Sequence, residues 1–130
     1  MSGDDEDCIV LIPKARARKS LEECVSAYRI AHAAAQHAAS LVETPHVCRE
    51  SPIGRVWVPT PKELGQAWVE LHCRDFVNWA RREHIIPMTS SQLWVTQYGN
   101  DLDKGAAYAE TFVRMLRQHG IKARVLSRRD

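Results

Sequence analysis

Ser90-Ser91-Gln92-Leu93-Trp94-Val95-Thr96-Gln97-Tyr98, continuing into Gly99-Asn100-Asp101-Leu102-Asp103, opens the stretch whose reading decides the fold. Leu93 to Tyr98 is β-branched and aromatic, the composition of a strand. Gly99 to Asp103 is rich in turn formers. From Lys104 to His119, the residues Ala109, Phe112, Val113 and Leu116 recur at i, i+3, i+4 and i+7, so they share one face of a helix. Asp101 or Asp103 can cap its start, and His119-Gly120 is a suitable stop. Ile121, Ala123 and Val125 then alternate with Lys122, Arg124 and Leu126, the two-residue period of a strand. Strand, helix and strand joined by short loops predict a right-handed parallel crossover. Such a unit needs more sheet, which the upstream chain should supply.

Outward from this unit, Cys8-Ile9-Val10-Leu11-Ile12 is a short, continuous apolar run ended by Pro13. It fits a strand covered on both faces. Lys14 to Lys19 is a polar loop. Ser20-Leu21-Glu22-Glu23 has the form of a capping box. The helix it starts carries Leu21, Cys24, Val25, Tyr28, His32, Ala35, Ala39 and Val42 along a stripe and ends at Thr44-Pro45. His46 to Gly54 reads as loop, and Arg55 to Val58 as a short strand. Thr60-Pro61-Lys62-Glu63 looks like a helix start, with the helix running from Pro61 to about His84. The order β-α-β-α-β-α-β predicts an α/β (or α+β) domain. It would be a small, mainly parallel sheet of about four strands with three helices. Residues 1–7 form an acidic tail, and residues 8–130 the single domain.

The length of 130 residues, 45% apolar and 26% charged, suits one globular domain with a real core. No apolar run approaches the ~20 residues that cross a bilayer. The acidic start, Asp4-Asp5-Glu6-Asp7, has the wrong sign for a secretion signal, so a cytoplasmic site and no membrane partner are expected. The four cysteines, Cys8, Cys24, Cys48 and Cys73, lack CxxC spacing and are expected to be reduced.

The net charge of +2 is unevenly spread. Lys14, Arg16, Arg18 and Lys19 form a basic knot. Between Lys104 and Asp130, seven Lys or Arg face only Glu110 and Asp130, a surplus of five. Lys122 and Arg124 project from one side of the last strand, and Arg114 and Arg117 from the outer side of the preceding helix. Lys14, Arg16, Arg18, Lys19, Arg114, Arg117, Lys122 and Arg124 are therefore the candidate contacts to an anionic partner, nucleic acid or an acidic protein surface. The plainer reading is a solvated basic face. Trp68 and Trp79 are expected in the core. Trp57 and Trp94, on strands, either pack under helices or share an open sheet face with Arg55, Lys122 and Arg124, which would suit single-stranded nucleic acid.

Other constellations are thinner. Asp101 and Asp103, at the end of a strand and the start of a helix, can hold Mg²⁺ through oxygens; the plainer reading is a helix cap. His46, Cys48, His72 and Cys73 are zinc-ligand types, but His72 and Cys73 diverge by ~100° on a helix. Cys24 with His32, and Cys73 with His72, lack the elbow that presents a nucleophile. The leading expectation is thus a non-enzymatic binding or regulatory accessory protein without a resident cofactor. One alternative is a small Mg²⁺-dependent enzyme acting on phosphate through Asp101 and Asp103. Another is an inhibitor or adaptor using an apolar helix surface, with homodimerisation as its variant.

Overall fold

The computed structural model describes residues 18–130. The run Cys8–Ile12 and the basic residues Lys14 and Arg16 lie outside the described residues. Helix α1 spans Leu21–Ser40 and starts as its sequence implies. Ser20 Oγ accepts from the Glu23 amide at 3.1 Å, and the Glu23 carboxylate accepts from the Ser20 amide at 2.8 Å. Its buried stripe is Cys24, Ala27, Ala31, Ala35 and Ala39, with Leu21 exposed. Small side chains at that spacing let α1 lie close along α3, Leu102–Gln118.

Helix α3 is the middle layer. Tyr108, Ala109, Phe112, Val113 and Leu116 are buried between α1 and a sheet. Three strands form that sheet: β3 (Gly65–Leu71) in the centre, flanked by β4 (Gln92–Val95) and β5 (Ala123–Arg129). Both flanking strands run antiparallel to β3. The expected parallel neighbours are therefore corrected. The helix between β4 and β5 exists, and the two strands point the same way, but β3 is inserted between them and takes the hydrogen bonds of both.

The reason lies in residues 61–84, where a single helix was expected. Ala67, Val69 and Leu71 are buried while Gln66, Trp68 and Glu70 are half-buried, the two-residue period of a strand. Leu64, Trp68 and Leu71 also fit helical spacing, which makes the segment ambiguous. Only Arg74–Arg82 is helical (α2), burying Phe76, Val77, Trp79 and Ala80. Thr60 does not cap a helix; its amide bonds Pro45 O.

Residues 46–59 form a separate antiparallel hairpin, β1 (His46–Ser51) with β2 (Gly54–Pro59). The expected loop over 46–54 is therefore mostly strand. Pro52-Ile53 makes the turn, closed at Gly54 with φ 121°. The strand expected at Arg55–Val58 is present, but here rather than in the main sheet. The described chain is thus α+β, with three helices and two small antiparallel sheets, and not a mainly parallel four-stranded α/β fold. No described helix is long and apolar enough to cross a membrane.

Candidate nucleic-acid interface

Side chains alternate across a strand, so β3 has two unlike faces. Ala67, Val69 and Leu71 meet α3. On the other face no described helix or strand packs. The register builds this open face in rows. Trp68 stands opposite Trp94 on β4 and Leu126 on β5; Glu70 stands opposite Gln92 and Arg124; Gln66 stands opposite Arg128.

The Trp68 and Trp94 rings stack, with centroids 4.3 Å apart and planes at 20°. Neighbouring strands are themselves ~4.8 Å apart. The two rings therefore stand off the sheet side by side, rather than lying flat on their own strands. Trp94 remains 38% exposed on the β4 edge and donates from Nε1 to Gln92 Oε1 at 3.3 Å. Trp68 Nε1 is buried without a hydrogen-bond partner among the described residues. Trp68 belongs to this face and not to the core where it was expected. The alternation of Ala67, Val69 and Leu71 around it was the signal. Trp79 is in the core, whereas Trp57 is 69% exposed on the hairpin, away from this face.

Around the β5 edge the open face passes into a groove of about 700 Å³ between α3 and β5. Arg114, Arg117 and Arg124 line it with Glu110, Gln118, Val113 and Val125. The helix pair and Arg124 thus converge, although they stand on different elements. Arg117 Nε donates to Ala123 O at 3.0 Å, which holds its guanidinium at the groove floor. Arg124 Nε lies 2.7 Å from Glu70 Oε1, and the same carboxylate lies 3.1 Å from His72 Nε2. Arg129, at the far end of β5, lies 3.2 Å from Glu63. The arginine side of each pair is exposed, although Glu70 itself is only 22% exposed, and ion pairs with a solvated partner are weak.

The remaining candidates fall elsewhere. Lys122 is exposed just before β5, outside the groove lining. Lys19 reaches Gly120 at the C-terminal end of α3, a favourable place for a cation, and its amide donates to Asp75. Arg18 is exposed beside it. Lys104, part of the basic surplus, turns inward: its Nζ donates to Ala39 O and Val42 O, closing the C-terminus of α1.

Asp101 is buried as the N-cap of α3. One carboxylate oxygen accepts from the Lys104 amide at 3.2 Å and the other from Thr44 Oγ1 at 2.6 Å. Asp103 follows in the first turn. Among the described residues, no group of three or more His, Cys, Asp or Glu is placed to hold a metal ion. Cys24 is buried, and burial raises its thiol pKa, which disfavours the thiolate a nucleophile needs. His32 is part of the packing: its Nδ1 lies 2.5 Å from Tyr108 Oη and its ring stacks on Tyr28.

No family model, curated protein or solved structure matches this chain, so the reading of the site rests on its own geometry.

Proposed function

We propose that this protein binds single-stranded nucleic acid on the open face of the β4-β3-β5 sheet, with the α3/β5 arginine groove taking the phosphates. The supporting observation is the Trp68–Trp94 stack on a sheet face that no described helix or strand covers, with Arg124 and Arg128 on the next strand but one from Trp94. Any base offers a π-face, so the exposed ring of Trp94 can extend the stack without reading sequence. Arg124 and Arg128, four residues apart on one face of β5, suit a backbone running over the strand. In this reading the protein is a binding module, and the chemistry of the bound strand is left unchanged.

Fluorescence anisotropy with labelled dT and rU oligonucleotides tests this. Binding is expected at low salt and should weaken steeply as salt rises, with a log–log slope near about −2 for three phosphate contacts. Trp94→Ala should weaken it by about tenfold to a hundredfold, the loss of one stacked base, while leaving the circular dichroism unchanged. Absence of binding to both oligonucleotides at about 50 mM salt would sink the reading. So would duplex binding as tight as single-strand binding and indifferent to Trp94.

A further inference from the structure

The outer edge of β5 is unpaired among the described strands, because the sheet order is β4-β3-β5. Beyond Ala123, whose carbonyl accepts from Arg117 Nε, this edge is a template for another strand. Apolar side chains wait on both sides of it. Val113 and Val125 lie in the groove on the helix side, and Leu126 is half-buried on the open side. A second copy is a poor occupant: a two-fold antiparallel pairing of β5 about Leu126 would set Arg124 against Arg128, like charge on like charge.

We propose that the β5 edge is the docking site of this chain's own run Cys8-Ile9-Val10-Leu11-Ile12, added antiparallel to β5. Four observations point there. The run is apolar at every position, as suits an edge with apolar neighbours on both faces. Lys19 lies against Gly120, just before β5 begins, so the chain leaves the described region at that end of the strand. The six residues from Pro13 to Arg18 can span ~20 Å when extended, ample to reach the edge. Because Ile12 is nearest to that end, the run points against β5. Finally, with Ile12 near Ala123, Cys8 falls near Ser127, and Asp7 and Glu6 near Arg128 and Arg129. The edge of β4, Gln92-Leu93-Trp94-Val95, offers no charge to such an acidic stretch. This inference does not rest on the tryptophan stack behind the nucleic-acid reading, but it claims the same surface: a strand seated here would cover the α3/β5 groove and engage Arg128, so the two compete there.

Nuclear magnetic resonance on the full chain tests it. Interstrand contacts between the backbone protons of Cys8–Ile12 and those of Ala123–Arg129 are expected, with slow exchange of the outward β5 amides. Val10→Pro removes a donor and fixes φ, so it should speed exchange of those outward amides by ~10-fold or more and leave the β3 amides unchanged. Coil shifts for residues 8–12, contacts from them to β4, or isotope-filtered contacts showing that the β5 edge is taken by a second copy, would each overturn the proposal.

Discussion

The two faces of the β4-β3-β5 sheet differ in everything except the strands that carry them. On one, Ala67, Val69, Leu71, Val95 and Ala123 are buried, with α3 and then α1 stacked above them. On the other, Trp68, Glu70, Trp94 and Arg124 face outward from the same strands, and no described element covers them. The first face is small and aliphatic because a helix must approach it closely. The second carries the largest aromatic and the longest charged side chains of the sheet. A protein needing only a solvated second face would be served by short polar residues there. On the proposed reading, stability and recognition are divided between alternate residues of the same strands, and substitutions should separate them.

The largest effect is expected under the helices. Phe112 is fully buried, stacked on Tyr108 at 5.7 Å and meeting Tyr28 edge-on at 5.9 Å. Phe112→Ala should destabilise the fold by about 3–5 kcal/mol, read by urea denaturation, because that cluster cannot collapse into the space left. A loss under about 1 kcal/mol would mean the core is looser than its packing implies. Next is Gly65, at the start of β3, where a Cβ would sit 2.2 Å from the carbonyl oxygen of Arg128. Backbone cannot swing aside like a flexible side chain. Gly65→Ala should cost about 1–3 kcal/mol and loosen the β3–β5 pairing, seen as faster amide exchange in β5.

How much of this was legible in the sequence follows from how each segment is buried. Helix α3 and its Asp101 cap were readable because one face is buried against a sheet and the cap is local chemistry. So was the capping box of Ser20 and Glu23. Strand β3 was not, since its inward set, Ala67, Val69 and Leu71, shares the segment with a Leu64-Trp68-Leu71 helical spacing and a Thr-Pro start. With β3 taken for helix, no central strand remained, and β4 and β5 became neighbours by default. Strand β1 left no trace because nearly all of its residues are exposed, so no burial period marks them. The arginines of the candidate site were legible as a charge surplus, but their convergence depends on α3 packing beside the β5 edge. Trp68 was placed in the core for the same reason that β3 was missed.

The smallest effect on stability, and the sharpest on the comparison, is expected at Arg124. Its guanidinium shares Glu70 with His72 on the open face, and its side chain is 58% exposed. Arg124→Ala leaves Glu70, 22% exposed, with His72 as its neighbour and should therefore change stability by no more than ~1 kcal/mol. Under the nucleic-acid reading it should also flatten the salt dependence by about 0.7, one phosphate contact fewer. Glu70→Gln makes the opposite change. It frees Arg124 from a competing carboxylate, so oligonucleotide binding should tighten by a few-fold, about 0.5–1 kcal/mol, with the fold again intact. Opposite shifts in binding at nearly constant stability would show that the two faces are energetically separate. A large stability loss in either variant would instead mean that the Glu70–Arg124 pair fastens β3 to β5, and that the open face belongs to the scaffold.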